Sequence, residues 1–173
     1  MAEPIGRKNV DRLVVEHLPR ALRFARRLTG DDNTAEDVVQ EALCRILKRW
    51  RSYRGEASFG TWMMQIVVNV DRDRRRQQRI LVPIPPEGVA ASQSQPVEEA
   101  AAGELGARIR LAVDKLPDRQ REVALLIWGE GASTREAAEI LQSSEANVYT
   151  CLHLARKRIA RAIGIDYPQL NRS

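Results

Sequence analysis

Apolar residues recur every three or four positions through the first eighty residues, a spacing that predicts three amphipathic helices. The expected inward positions are Val14, Leu18, Leu22 and Ala25 in a helix over 10–28, Val39, Leu43, Ile46 and Trp50 in a second helix, and Phe59, Met63, Ile66, Val67 and Val70 in a third helix that begins near Ser58. Thr34 followed by Asp37 is similar to a capping box, so Thr34 is expected to open the second helix.

The same periodicity returns in the last third of the chain and predicts four further helices. They are expected over residues 105–115, 118–128, 133–141 and 144–163, with the glycine-containing break GEGA before the third of them. The apolar stripe of the last helix is Val148, Leu152, Ala155 and Ile159. No segment gives a convincing strand pattern, so the predicted fold class is all-α.

A segment without apolar periodicity separates the two helical regions. Residues 81–104 hold four of the eight prolines and no Lys or Arg, and their charged residues are Glu87, Glu98, Glu99 and Glu104. Proline, serine, glutamine and glycine in such a mixture are typical of a flexible linker. We therefore expect two small helical domains, over 8–80 and 105–165, joined by a flexible acidic linker at 81–104.

The balance of basic and acidic residues in the chain indicates what class of molecule it binds. The 173 residues include 28 Lys and Arg against 23 Asp and Glu, and only four of the 28 are Lys. A basic, arginine-rich chain favours a polyanionic partner, most often a nucleic acid. No stretch approaches the roughly 20 apolar residues of a membrane span, and the N-terminus lacks a signal-peptide pattern, so a cytoplasmic location without membrane insertion is expected.

Candidate catalytic chemistry is sparse. Cys44 and Cys151 lie far apart in helical patterns and are expected to be reduced and buried or half-buried. His17 and His153 are the two histidines, and neither a glycine-rich phosphate loop nor a metal-spaced cluster is found in the sequence. These observations argue against an enzyme, and no cofactor or metal is expected.

The last two helices have the pattern of a helix-turn-helix. Small residues at 137 and 138 allow a close helix crossing, a tight turn follows at Gln142–Ser143, and Ser144 is expected to cap the second helix. The outward face of that helix starts with Ala146, Asn147, Thr150 and His153 and ends with Arg156, Lys157, Arg158 and Arg161. Such a helix could read bases with its start and bind phosphates with its end. An ordinary amphipathic helix with a solvated basic end fits the pattern as well.

Two blocks of sequence resemble one protein family. The stretches LPDRQREVALLIWGEGASTREAAEIL and SEANVYTCLHLARKRI look like the C-terminal DNA-binding domain of bacterial sigma factors. AEDVVQEALCRILKRW resembles the core-binding helix of that family, and FGTWMMQIVVNVDRDRRR resembles its promoter-melting helix. The whole plan is similar to the small extracytoplasmic function subfamily. The resemblance implies two helical domains, the second of them a helix-turn-helix of winged-helix-like type, and no enzymatic activity.

The resemblance also implies a set of functional residues. Those expected to bind core polymerase are Asp37, Gln40, Glu41, Arg45 and Lys48. Those expected at the minus-ten element, which the first domain recognises and melts, are Arg54, Ser58, Trp62, Gln65, Asn69, Asp73, Arg75 and Arg76. Those expected at the minus-thirty-five element are Ser144, Ala146, Asn147, Tyr149, Thr150, His153, Arg156 and Lys157. The implied partners are core RNA polymerase (its beta and beta-prime subunits), promoter DNA and an anti-sigma factor.

Simpler interpretations of the same residues stay open. The charged faces suit solvated helix surfaces, and Trp62 suits a core position near a helix start. The chain also departs from the family pattern, with Gln142 where the turn usually has glycine and with Tyr149, Cys151 and Leu154 where basic residues are common. A helix-turn-helix activator or repressor that does not replace a sigma factor is the alternative, although it leaves the first domain unexplained.

Overall fold

The computed structural model describes residues 6–81 and 103–164 of the chain. These residues form α-helices with one short 3-10 turn and one π-helical turn, and they contain no strand, so the all-α prediction is confirmed. The α-helices are α1 (Arg7–Thr29), α2 (Asp32–Arg49), α3 (Phe59–Leu81), α4 (Gly103–Asp114), α5 (Asp118–Ala124), α6 (Thr134–Leu141) and α7 (Glu145–Ile163). No helix in the described part of the chain is long and apolar enough to cross a membrane.

The chain divides into two compact units. The N-terminal unit contains α1, α2 and α3, and the C-terminal unit contains α4, α5, α7 and most of α6. Most of the predicted linker, residues 82–102, lies outside the described residues, as does the end of the second expected domain beyond residue 164.

In the N-terminal unit, α1 packs on α2 and α3, and α2 packs on α3. The predicted stripe of α1 is confirmed at Ala25, which is buried, and is met only in part at its other three positions. Val14, Leu18 and Leu22 are half-buried, whereas the fully enclosed positions are Val10, Ala21, Phe24, Ala25 and Leu28. Phe24 is among the largest fully buried side chains of the described residues, and the neighbouring buried positions on this face include Ala21 and Ala25.

The start and the end of α2 differ from expectation. Asp31 caps the helix, since its side chain accepts a hydrogen bond of 2.7 Å from the N–H of Thr34, and Thr34 itself lies inside the first turn. The prediction that Thr34 opens the helix is therefore wrong. The capping residue is Asp31, three residues earlier, whose carboxylate accepts a hydrogen bond from the free N–H of Thr34. At the other end Trp50 leaves the α-helix and starts a 3-10 turn over Trp50–Ser52.

In the C-terminal unit, α4 and α5 pack on α7. Their shared core consists of Ala112, Leu116, Ala124, Ala155, Ile159 and Ile163. The predicted stripe of α7 is confirmed, since Val148, Leu152, Ala155 and Ile159 are all buried. Arg108 of α4 donates a hydrogen bond of 2.7 Å to the carbonyl oxygen of Ile163, which ties α4 to the last turn of α7.

The helix predicted over 118–128 changes type before it ends. It is α-helical to Ala124 and then forms a π-helical turn over Leu125–Gly129. The carbonyl oxygens of Leu125 and Leu126 accept hydrogen bonds of 3.0 Å from the N–H groups of Glu130 and Ala132, which close this wider turn.

The two cysteines are unpaired by disulfide, and their exposure differs. Cys151 is half-buried, as expected, but Cys44 is exposed on α2, so the prediction of burial is wrong for Cys44. It lies outside the stripe that α2 turns toward α1 and α3, where Val38, Val39, Ala42 and Ile46 are buried.

Candidate polymerase and promoter interfaces

The outward face of α2 carries polar side chains free of the core. Asp37, Gln40, Glu41 and Lys48 are all exposed, and they lie away from the buried stripe of the helix. This face therefore offers carboxylate and amide groups to a partner with basic side chains, a combination that sets register and association rate.

Arg45, the fifth residue expected on this face, is used inside the N-terminal unit. Its Nε donates a hydrogen bond of 2.8 Å to Glu41, and its Nη1 donates one of 2.9 Å to Asp73 of α3. These hydrogen bonds, to Glu41 first and then to Asp73, raise the pKa of Arg45. A polymerase contact through this guanidinium would have to compete with both bonds.

Aromatic rings hold the segment between the 3-10 turn and α3. The ring of Tyr53 lies 5.5 Å from that of Phe59 and 5.2 Å from that of Trp62, and the Phe59 and Trp62 rings are 5.5 Å apart. The Tyr53 hydroxyl donates a hydrogen bond of 2.8 Å to the carbonyl oxygen of Ala57, and burial raises the pKa of Tyr53. Trp62 is half-buried, so it contributes to this cluster while part of its ring stays accessible.

Ser58, expected at the DNA, orders the start of α3. Its hydroxyl oxygen accepts a hydrogen bond of 3.0 Å from the N–H of Thr61 and lies 2.9 Å from the Thr61 hydroxyl oxygen. Arg54 is exposed in the loop that precedes it. The loop thus combines a fixed helix start with a cation that is open to solvent.

The expected DNA-facing stripe of α3 is partly exposed. Gln65 and Asn69 are half-buried, Asp73 accepts a hydrogen bond of 3.0 Å from Arg76, and the Arg76 side chain is 74% exposed. These residues lie on one face of the helix, as their spacing predicts.

Arg75 differs from the rest of its expected group. Its side chain is 13% exposed, and its Nη2 lies 2.7 Å from Oδ2 of Asp71, a residue with no solvent exposure. Arg74 also donates to Asp71, over 3.3 Å. The arginine run is therefore neither a uniform DNA-facing patch nor a fully solvated helix end. Asp71 was missed at the sequence level, although a carboxylate three and four residues before two arginines is a recognisable signal for such pairs.

The start of α7 is exposed, and its one charged residue is the exposed Glu145. Ser144 caps the helix by accepting a hydrogen bond of 3.2 Å from the N–H of Asn147, which confirms the predicted cap. Ala146, Asn147, Thr150 and His153 are exposed. Thr150 donates to the carbonyl oxygen of Ala146 over 3.0 Å, so the Thr150 hydroxyl is partly engaged within the helix.

Tyr149 and Glu145 connect the start of α7 to the start of α6. The Thr134 hydroxyl oxygen lies 3.3 Å from the Tyr149 hydroxyl and 3.2 Å from a carboxylate oxygen of Glu145. The Tyr149 side chain is nevertheless among the exposed large hydrophobic residues, at 58%. Its ring therefore flanks the outward face, while its hydroxyl reaches α6.

The end of α7 presents cations. Lys157, Arg158 and Arg161 are exposed, and the half-buried Arg156 lies with its guanidinium 5.9 Å from the centre of the Trp128 ring. A cation over an aromatic ring keeps its charge while its side chain is held in place. The helix thus begins with one acidic residue, Glu145, and ends positive.

Comparison with known families agrees with this two-part geometry. Residues 13–80 match the family model described as Sigma-70 region 2, and residues 106–159 match Sigma-70, region 4. The ECF RNA polymerase sigma factor SigM of Mycobacterium tuberculosis is 30% identical over 156 residues, which cover 89% of this chain and 76% of that protein. The chain belongs to the extracytoplasmic function group of RNA polymerase sigma factors. The resemblance seen in the sequence is confirmed, and the family consists of transcription initiation factors rather than enzymes.

Other relatives of this sigma factor carry the same family name. SigX of Bacillus subtilis is 33% identical over 137 residues, which cover 75% of this chain and 71% of that protein. SigE of Mycolicibacterium smegmatis is 31% identical over 153 residues, but these span 86% of this chain and 59% of that longer protein.

Solved structures show that the sigma factor shares a known fold. The sigma factor RpoE of Bartonella quintana, solved in complex with the anti-sigma factor NepR, superposes with a TM-score of 0.76 at 23% identity, covering 92% of this chain and 99% of that chain. CnrH, solved with the cytosolic domain of CnrY, gives a TM-score of 0.65 at 22% identity, covering 92% of this chain and 90% of that one. At these identities the likeness concerns the fold alone.

Proposed function

We propose that this sigma factor acts in the cytoplasm, where it binds core RNA polymerase and directs transcription initiation at promoters with specific minus-ten and minus-thirty-five elements. The N-terminal domain, over 8–80, binds the polymerase and helps to melt the promoter. The C-terminal domain, over 105–165, binds the minus-thirty-five element, and the linker at 81–104 joins the two.

The observation that carries this proposal is the charge distribution along α7. Its apolar stripe is buried in its own unit, its exposed start carries no cation and one carboxylate, that of Glu145, and its exposed end is cationic. Base edges are read by polar shape and hydrogen bonds, whereas phosphates attract cations without regard to sequence. Asn147, Thr150 and His153 therefore suit base contacts, and Lys157 suits a phosphate contact.

The proposed polymerase contacts are Asp37, Gln40, Glu41 and Lys48, which stay exposed on α2. Burial of the opposite face keeps the helix rigid, so these side chains are presented without the cost of ordering a loop. Arg45 is not among these contacts, because its hydrogen bonds lie within the unit.

The proposed minus-ten contacts lie on the loop before α3 and along that helix. The exposed Arg54 and Arg76 suit the phosphates of an unwound strand, and the accessible edge of Trp62 suits stacking on a base. Gln65 and Asn69 offer both donors and acceptors between them. Arg75 is left out of this set, because it pairs with the buried Asp71.

An anti-sigma factor is the proposed regulator. One structural neighbour of this chain is the sigma factor RpoE, solved with the anti-sigma factor NepR, and another is CnrH, solved with the cytosolic domain of CnrY. A partner that covers α2 would block the proposed polymerase surface, so release of that partner would permit initiation.

Binding to core polymerase in the absence of DNA tests the proposal. The purified chain is expected to co-elute with core RNA polymerase, and the Asp37→Ala, Gln40→Ala double variant is expected to bind more weakly with an unchanged circular dichroism spectrum. Glu16→Ala, an exposed carboxylate substitution on α1, serves as the matched control. A chain that binds duplex DNA alone and never the polymerase would instead be an activator or repressor.

A further inference from the structure

Four charged residues form a continuous chain of ion pairs between α2 and α3. Arg45 donates from Nε to Glu41 over 2.8 Å and from Nη1 to Oδ2 of Asp73 over 2.9 Å. Oδ1 of Asp73 accepts a hydrogen bond of 3.0 Å from Nη2 of Arg76. Signs alternate along the chain, which runs from the proposed polymerase surface to the proposed promoter surface.

The centre of this chain is more protected from water than its ends. The side chains of Arg45 and Asp73 are 33% and 35% exposed, whereas those of Glu41 and Arg76 are 51% and 74% exposed. Screening is weaker for a half-buried pair, so the contact between α2 and α3 is the least screened link. Arg45 uses two different nitrogens of its planar guanidinium for Glu41 and Asp73, a geometry that a lysine ammonium on a flexible stem does not reproduce.

Asp73 would be a liability for DNA binding if it stood alone. It lies on the same stripe as Asn69 and Arg76, where a free carboxylate would repel phosphates and would hold Arg76 as its sole counter-ion. Arg45 supplies a second counter-ion from the opposite side. Asp73 is thereby neutralised, and the exposed Arg76 retains donors for a phosphate.

We propose that Arg45 is a positioning residue for promoter opening rather than a polymerase contact. It acts through Asp73, whose carboxylate it holds toward α2. In this way Arg45 sets how far Asp73 neutralises Arg76 of α3 and how the Arg76 side chain is oriented. This inference rests on the proposed function, since it assumes that α3 faces promoter DNA.

A second substitution, added to Arg45→Ala, distinguishes this role from simple structural support by whether it raises or lowers promoter opening. Arg45→Ala leaves Asp73 with Arg76 as its remaining described partner, so opening of a duplex promoter should fall about fivefold, the effect of losing one half-buried ion pair. Asp73→Ala added to that variant removes the stranded carboxylate and should restore most of the loss. If both residues merely supported the fold, the second substitution would add damage.

The experiment uses the full chain with core polymerase and measures three quantities for each variant: competition for core binding, open-complex formation on duplex and on pre-opened templates, and the melting temperature. Arg45→Ala should bind core within about twofold of the parent and lose activity mainly on duplex templates. The promoter-opening activity of Arg45→Lys should lie between those of the parent and of Arg45→Ala. This second variant keeps the test decisive if Arg45→Ala folds poorly. Arg49→Ala, which removes another arginine from α2, should leave promoter opening unchanged.

Two results would overturn the inference while leaving the proposed function intact. One is a loss of core binding by Arg45→Ala as large as its loss of promoter opening, which would make Arg45 a polymerase contact. The other is a double variant no more active than Arg45→Ala. A parent chain that fails to bind core polymerase overturns the proposed function itself, and this inference with it.

Discussion

Gln142 adopts a left-handed backbone conformation in the turn between α6 and α7, and replacing it with glycine should stabilise the C-terminal unit. Its φ is 52°, and it is the one non-glycine residue with positive φ in the described ranges. The N–H of Gln142 donates to the carbonyl oxygen of Glu139 over 3.2 Å, and that of Ser143 donates to Ala138 over 2.9 Å. This pair of bonds is a Schellman motif, in which the left-handed position is usually glycine.

The size of the effect follows from two opposing contributions. The left-handed conformation costs a residue with a β-carbon about 1–2 kcal/mol, which glycine avoids. Glycine also gives the unfolded chain more conformational freedom, which lowers the free energy of unfolding by about 0.4–1 kcal/mol. Gln142 is exposed, and its side chain forms no hydrogen bond among the described residues, so truncation loses little else. A net gain of about 0.5–1 kcal/mol is expected for Gln142→Gly.

Thermal unfolding followed by circular dichroism measures this gain. If the C-terminal unit melts cooperatively, its midpoint should rise by about 2–8 °C. Gln142→Ala keeps the β-carbon and should show no such rise. Ala146→Gly, at an exposed position in the first turn of α7, should lower the midpoint, because glycine is a weaker helix former than alanine. A midpoint for Gln142→Gly as low as that of Ala146→Gly would refute the assignment of strain to this turn.

Three further predictions concern the surfaces and the cap of α2. Gln40→Ala should weaken core polymerase binding without changing the helical spectrum, because Gln40 is exposed on the proposed contact face; unchanged affinity in a competition assay would contradict this role. Asn147→Ala should relax the preference at one minus-thirty-five position by about 1–3 kcal/mol, whereas Lys157→Ala should weaken all promoters alike and lower the salt slope by about one; a randomised upstream element at two salt concentrations separates the two. Hydrogen bonds from the side chain and the backbone of Thr34 lower the pKa of Asp31, so the stability that this carboxylate confers is present above its unfolded value of 3.8 and is lost as the pH falls through the folded value. Acid titration of unfolding should show this loss in the parent and not in Asp31→Asn.

Helical periodicity was sufficient to predict most of the fold. The stripe of α7 and its Ser144 cap are as expected, because a strict apolar repeat and a local cap depend on residues close in sequence. The α1 stripe was met only in part, since the choice between two adjacent apolar faces depends on what α2 and α3 present to it. The π-helical turn over Leu125–Gly129 has no distinct apolar period, and a helix pattern does not reveal it.

The sequence pattern predicts which helix faces form the candidate surfaces, but it does not predict which side chains from different helices contact each other. Periodicity places Arg45 and Asp73 on the outer sides of their helices, yet the hydrogen bond between them joins positions 28 residues apart. Asp71 lies four residues before Arg75 on the same helix, a spacing that indicates the pair but does not indicate that Asp71 is buried. The contact between Arg45 and Asp73 and the burial of Asp71 depend on the packing of one helix against another, which a single sequence does not encode in a local pattern.

Run-off transcription with core RNA polymerase on fragments of the source genome tests whether this chain directs transcription initiation. We expect discrete transcripts that appear only when this chain is added and that share one pair of upstream elements at fixed spacing. Asn147→Ala should change the upstream element of the promoters used, and Asn69→Ala should reduce initiation on duplex more than on pre-opened templates. Transcripts that are independent of the chain, or the absence of any transcript when the chain and core polymerase are both present, would show that the chain does not act as a sigma factor.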